Sequence, residues 1–297
     1  MQIRVIGAPI DLGADRRGVD IGPTAIRYAG LSSQLDHLGY SVHDIGNLHI
    51  PLPESISAGN PRLKYLEPII QLSEELAREV AEALNQHEFP LILGGDHSLA
   101  LGSISGVAKV HPDVGILWID AHADFNTPDT TPSGNIHGMI LAALAGLGDE
   151  RLINVGGWSP KIKTENIVIV AARDLDEGEK ALLREHHIHV FTMSDIDDHG
   201  IGKVMQRALA IAGHGNQPIH VSFDIDSLDP REAPGVGTPV RGGLSYREAH
   251  FAMELIARSR KMIAMDIVEV NSILDRENAT AQLAVEIILS ALGKKIF

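Results

Sequence analysis

The sequence of 297 residues contains no cysteine. Disulfides, thiolate metal ligands and a cysteine nucleophile are excluded together. It also lacks any run approaching the roughly 18 apolar residues of a membrane helix. The longest candidate, MILAALAGL from Met139 to Leu147, is far too short. The opening MQIRVIGAPIDLG reads as a strand entering a turn, without the pattern of a cleaved signal peptide. Cations are in deficit, 25 Lys and Arg against 39 Asp and Glu, for a formal net charge of −14. That balance argues against nucleic acid or an anionic membrane surface as partner. No internal repeat, low-complexity tract or linker divides the chain, so residues 1–297 are read as a single domain. These absences fit a cytoplasmic enzyme.

What is present is a regular alternation. Short runs rich in Val and Ile mark strands at Ile3 to Ile6, Ser41 to Ile45, Pro90 to Leu93, Val114 to Ile119, Ile167 to Ala171, His189 to Thr192, Ile219 to Phe223 and Met262 to Ile267. Continuous runs such as GILWI and PLILG suit strands buried on both faces. Helical patterns lie between them. One is bracketed by Pro23 and Gly39; another carries a stripe from Leu63 to Leu84 with Pro68 near its start; two more cover Tyr246 to Ala257 and Ala281 to Leu292. Such alternation predicts an α/β fold with a mostly parallel sheet. Periodicity alone leaves an open sheet and a closed eight-stranded barrel equally admissible. Two turn-rich stretches, Asn126 to Gly138 and Asp229 to Gly243, are long enough to be functional loops.

Three strand ends carry chemistry. PLIL is followed by GGDHS, VGILWI by DAHAD, and IHVSF by DIDSLD. Side chains alternate along an extended chain, so Asp120, His122 and Asp124 share one face, as do Asp224 and Asp226. His97 follows a third strand, and α/β sheets gather ligands at the carboxyl ends of their strands. A single Asp after a strand is ordinarily a cap or turn residue. Four carboxylates with two imidazoles are different, because without a countercharge they repel and take up protons. A cation removes that penalty. Four carboxylates balance two divalent ions, and oxygen with imidazole but no thiolate suits borderline-hard ions such as Mn²⁺, with zinc, cobalt, nickel and iron also admissible. Two such ions can share a bridging water and present hydroxide at neutral pH, which is metal-assisted hydrolysis.

GGDHS, DAHADFNTPDTTPSGNIHGM, SFDIDSLDPREAPGVGTPVRGGLSYRE and VEVNSILD resemble the signatures of the arginase/agmatinase (ureohydrolase) family. The resemblance runs from GAPIDLGADRRGVDIGPTAIR to NATAQLAVE, nearly the whole chain. The NTPDTTPSGNIHG loop and GTPVRGGLSYRE are closest to the arginase branch. The resemblance implies a three-layer α/β/α fold with a mostly parallel eight-stranded sheet, and a homotrimer or homohexamer. It implies two Mn²⁺ per subunit, one held by His97, Asp120, Asp124 and Asp224, the other by Asp120, His122, Asp224 and Asp226. A metal-bridging hydroxide would attack the guanidinium carbon of L-arginine, a small cationic substrate, to give L-ornithine and urea. Asp124 would carry the proton to the leaving amine, His137 would act as proton shuttle, and Glu269 would pair with the guanidinium. Asn126 and Ser133 would contact the α-carboxylate directly, and Thr131 and Asn135 through water. Asp176 would bind the α-ammonium with Glu179 in support, and Thr238 would shape the guanidinium pocket. Two positions depart from many relatives: Ala123 in DAHAD, and Ser272 where proline often follows VEVN. Ser272 leaves the loop after Glu269 less rigid than proline would.

Alternatives differ in charge and class. A ureohydrolase for agmatine or guanidinobutyrate would share the metal motifs, and urea release from each compound separates the readings. A two-metal phosphoesterase should offer Lys or Arg to its anion, whereas the groups here are Asp174, Asp176, Glu179 and Glu269. A non-catalytic metal-binding regulator would have no need of the proton-handling Asp124 and His137.

Overall fold

The computed structural model describes residues 1–14 and 16–295; Asp15, Ile296 and Phe297 lie outside the described residues. The strands are β1 (Gln2–Ala8), β2 (Ser41–Asn47), β3 (Gly59–Asn60), β4 (Leu63–Lys64), β5 (Phe89–Gly94), β6 (Gly115–Ile119), β7 (Ile167–Ala172), β8 (His189–Thr192), β9 (Ile219–Asp224) and β10 (Met262–Val268). The α-helices are α1 (Gly22–Tyr28), α2 (Leu31–His37), α3 (Leu66–Asn85), α4 (Ala100–Val110), α5 (Ile140–Leu144), α6 (Glu150–Ile153), α7 (Glu177–Glu185), α8 (Met193–His199), α9 (Ile201–Ala212), α10 (Tyr246–Ser259) and α11 (Ala279–Ala291).

Eight strands form one sheet in the order β2-β1-β5-β10-β9-β6-β7-β8, and every neighbouring pair is parallel. The sheet is open, with β2 and β8 at its edges, which resolves the choice that periodicity left. Strands β5, β6, β7 and β9 are buried at every position, as a sheet covered on both faces requires. Leu117, Ile119, Val168, Val170, Val221 and Phe223 pack on one face with apolar residues of α9, α10 and α11. Ile116, Trp118, Ile167 and Ile169 face the other way, toward α3 and α4. The result is three layers.

Two expected elements shift. The helix bracketed by Pro23 and Gly39 is two helices, because Gly30 stands at φ 87 and ends the first. Helix α3 begins at Leu66, and Leu63 instead belongs to β4, paired antiparallel with β3. Pro68 falls in the first turn of α3, where an amide donor has no partner within the helix to lose.

Strands β5, β10, β9 and β6 are the central four, and their carboxyl ends open toward the same side. What fixes β6 in register with the helical layer is a close approach: a Cβ at Gly115 would lie 1.7 Å from the carbonyl oxygen of Ala212, the last residue of α9. Backbone cannot swing aside as a side chain can. Gly115→Ala is expected to destabilise the protein by about 3 kcal/mol through overpacking, lowering Tm by about 5 °C or more. An unchanged thermal unfolding curve would show that α9 does not constrain this strand.

Candidate metal centre

The three polar strand ends meet. Asp224 is the last residue of β9, Asp120 follows β6, and His97 begins the short turn after β5. The His97 Nδ1 lies 3.0 Å from Asp120 Oδ2, 3.2 Å from Asp224 Oδ2 and 3.4 Å from Asp124 Oδ2. None of these oxygens is placed to hydrogen-bond with that buried nitrogen, which is left without a partner. On the other side of Asp120, the His122 Nδ1 lies 3.3 Å from Asp120 Oδ1 and 3.2 Å from Asp226 Oδ2. Asp120 therefore turns one oxygen to each imidazole. Two groups result, His97 with Asp120 and Asp224, and Asp120 with His122 and Asp226. Asp224 gathers with the first group alone, and Asp124 stands beside His97 outside both.

The donor set fits divalent cations. Ligands bonded at about 2.1 Å to one ion stand roughly 3.0–3.4 Å apart in octahedral or tetrahedral arrangements. The separations around both imidazoles fall in that range, and an orphaned Nδ1 facing three carboxylate oxygens is what a missing central charge leaves. Titration points the same way. Burial, followed by repulsion from Asp120, pushes the Asp124 carboxyl well above its usual range. Burial and the charges of Asp226 and Asp120 do the same to Asp224. For Asp120 burial acts upward, but the adjacent imidazoles of His122 and His97 outweigh it and hold the group below its usual range. His122 also feels burial, which opposes its charge, yet Asp226 and Asp120 draw its pKa strongly upward. A bound cation would relieve this repulsion and favour the ionised carboxylates.

The backbone is bent to make this possible. Asp124 and Glu269 both adopt positive φ, 49 and 65, which non-glycine residues rarely do. Such conformations concentrate at functional sites because the surroundings must enforce them. Glu269 follows β10, its amide bound to Gly95 O, and its Oε1 accepts the His97 amide at 3.0 Å. The same Oε1 lies 3.4 Å from His137 Nδ1. Burial lowers the His137 pKa, but its contact with the Glu269 carboxylate, and the Asp96 charge beyond, raise it overall. A Cβ on Gly237 would lie 3.5 Å from Glu269 Oε2, so the Asp229 to Gly243 loop comes close to that second oxygen.

The loop after Asp124 lines the mouth of the site. Asn126 Nδ2 donates to Asp176 Oδ2 at 2.7 Å, and its Oδ1 accepts from Thr130. Asp176 caps α7, taking the Glu179 amide at 2.9 Å, and Glu179 Oε1 accepts the Phe125 amide at 2.9 Å. Burial, with Asp176 and Asp120 nearby, raises Glu179 to about 7 despite that amide. Thr131 Oγ1 accepts the amides of Ser133 and Gly134, and Ser133 Oγ accepts that of Asn135. Asn135 Nδ2 reaches Ala14 O at 2.9 Å, tying the loop to the N-terminal segment. Thr238 Oγ1 donates to Asp226 Oδ2 at 3.0 Å.

Three supporting residues escaped the motif reading. Trp118 stacks on the His97 ring with centroids 3.8 Å apart and donates Nε1–H to Asp120 Oδ2 at 2.9 Å. It precedes Asp120 by two, so strand alternation alone could have placed both on one face. Asp96 accepts the amides of Gly13 and Ala14, anchoring the loop whose Gly13 carbonyl receives the His137 amide. Arg173 spans the carbonyls of Asp226, Ser227, Leu228 and Val240, clamping the DIDSLD turn to the GTPV loop. No local pattern around Arg173 signals that role.

The sequence model of the Arginase family matches residues 1–293. An arginase of Brevibacillus brevis is 49% identical over 292 residues, covering 98% of each chain. The solved arginase of Bacillus caldovelox superposes with a TM-score of 0.97 at 47% identity, covering 100% of this chain and 99% of that one. The arginase of Entamoeba histolytica, solved in complex with L-ornithine, is 32% identical with a TM-score of 0.90, covering 99% and 98%. A parallel eight-stranded sheet, a cluster of aspartates and histidines at its central strand ends, and these full-length likenesses lead to one conclusion: the chain is an enzyme of the arginase family.

Proposed function

We propose that the chain hydrolyses L-arginine to L-ornithine and urea, with two Mn²⁺ held by His97, Asp120, His122, Asp124, Asp224 and Asp226. The carrying observation is the pair of ligand groups that share Asp120. We also assign the cytoplasm as its location, residues 1–297 as one catalytic unit, and a homotrimer or homohexamer as its assembly. Bound there, the two cations would offset the carboxylate charge and lower the pKa of a water that attacks the guanidinium carbon. L-Ornithine in the Entamoeba histolytica relative is the expected product of such a reaction.

The remaining work falls to the chain's own groups. Asp124 takes one proton of the attacking water, the other being released to solvent, and delivers it to the departing side-chain nitrogen, so that the C–N bond breaks to urea and a neutral amine. His137, one-fifth exposed, then passes a proton from solvent to that amine. Glu269 Oε2 is the acceptor for the guanidinium, because Oε1 is occupied by the His97 amide. The α-carboxylate meets the neutral donors Asn126 and Ser133, with Thr131 and Asn135 contributing through water. Asp176 receives the α-ammonium, with Glu179 behind it, and Thr238 borders the guanidinium pocket through its bond to Asp226. The Asn126–Asp176 hydrogen bond joins the two halves of this amino-acid clamp.

Three outcomes follow. After Mn²⁺ loading, kcat/KM for L-arginine should exceed that for agmatine and for guanidinobutyrate by 100-fold or more, the order of loss when polar partners are left unpaired. Preference for agmatine would overturn the carboxylate assignment. Asp124→Asn should lower kcat by about 100-fold to 10,000-fold, read by urea release at saturating metal. The third concerns metal removal. Glu179, Asp124 and Asp224 are neutral more readily in the folded chain than in the unfolded one. Without metal, the stability this confers is greatest below the usual carboxylate range. It is lost as pH rises, for Glu179 between 4.5 and about 7. Mn²⁺ binding keeps carboxylates ionised and releases protons. The Mn²⁺-induced rise in Tm should therefore be larger at pH 8 than at pH 5.5, and the reverse order in calorimetry would contradict this assignment.

A further inference from the structure

Behind His97, away from the cluster, the sheet carries polar residues where its neighbours are apolar. Trp118 of β6, Ser222 of β9 and Asp266 of β10 stand in register on three adjacent strands. Their parity places them on the face packed by α4. His97 Nε2 lies 2.8 Å from Ser222 Oγ, and Ser222 Oγ lies 3.4 Å from Asp266 Oδ2. That same oxygen accepts Ser103 Oγ from α4 at 2.6 Å and His220 Nε2 at 3.0 Å. His97, Ser103, His220, Ser222 and Asp266 are each 0% exposed. Asp266 Oδ1, by contrast, has no partner. A carboxylate buried among apolar residues, with all its donors on one oxygen, is costly to retain for packing alone.

The direction of the hydrogen bonds gives it a use. For His97 Nδ1 to offer a lone pair to a cation, the ring proton must sit on Nε2. It then donates to Ser222 Oγ, whose single hydroxyl proton donates to Asp266 Oδ2. Ser103 and His220 complete the acceptor's shell. We infer that Asp266, acting through Ser222, is a positioning residue that fixes the His97 tautomer and strengthens His97 as a metal ligand. This rests on the proposed metal centre. The general expectation for such a partner is a roughly 10-fold to 100-fold effect on metal affinity.

Asparagine suits the test because its carbonyl oxygen can take the place of Oδ2 and keep three donors, while its amide fills the unpartnered position. Asp266→Asn thus removes charge with little change of shape, and Ser222→Ala interrupts the chain while leaving Asp266 in place. Ser103→Ala deletes an equally buried hydroxyl bonded to Asp266 but not on the path to His97. Metal-free protein would be titrated with Mn²⁺ by calorimetry, with paramagnetic resonance distinguishing paired from single ions and Tm recorded for each variant. The expected result is that Asp266→Asn and Ser222→Ala each weaken one of two binding steps by about 10-fold to 100-fold. The other step should be kept, and Ser103→Ala should stay within about twofold of the parent at both. Equal shifts in all three variants, in proportion to Tm, would make the network merely structural. Unchanged affinity in Asp266→Asn and Ser222→Ala would also overturn the inference. If the parent protein itself bound no Mn²⁺, the metal centre would fail first.

Discussion

Like charges held close together are the constraint on which this molecule turns. Asp120, Asp124, Asp224 and Asp226 are all nearly buried at the ends of two adjacent strands, and their mutual repulsion grows as water is excluded. The sheet supplies the rigidity needed to keep them there. The candidate ligands lie at the ends of β5, β6 and β9, each covered on both faces, so a shift of one side chain would have to displace packed core. Around this frame, imidazoles, backbone amides and the Trp118 indole share out the negative charge. The Asp120 carboxylate alone receives the Trp118 Nε1–H and the His122 amide.

The same charge pattern organises the mouth of the site. The groups facing it from α7 are acidic, Asp176 and Glu179, while the loop from Asn126 to Asn135 presents amides and hydroxyls. Under the proposed function, a cation with a carboxylate at one end would meet an acid at each positive group and neutral donors at its negative one. That division is the basis of the proposed preference for an amino acid with a basic side chain over a phosphate ester.

Much of this was legible in the sequence, for reasons that can be named. DAHAD and DIDSLD follow apolar runs, so their place just past two strand ends was legible; the expected extended geometry is not what gathers their side chains, because Asp226 lies in the short turn Ile225–Ser227 and Asp124 stands at φ 49. The parallel sheet follows from the same runs. Other features were beyond local pattern. Gly30 breaks a helix that periodicity reads as continuous, because the positive φ depends on how α1 and α2 pack. Strands β3 and β4, two residues each, are too short to carry a period. The proposed roles of Asn126, Ser133 and Asp176 rest on family resemblance, since turn chemistry and capping explain the same residue types. The link from Asp266 to Ser222 spans 44 positions and exists only through the register of β9 with β10.

The order of strands has a temporal side. Strand β10 sits between β5 and β9 in space but comes last of the eight in the chain. In the order of synthesis β5 and β9 both precede the strand that lies between them, residues 262–268. Glu269 arrives one residue later still. A nascent chain therefore holds its candidate ligands before it has the central strand that aligns them. The two halves of the sheet precede it in the chain, but the site becomes one site only once residues 262–269 are in place.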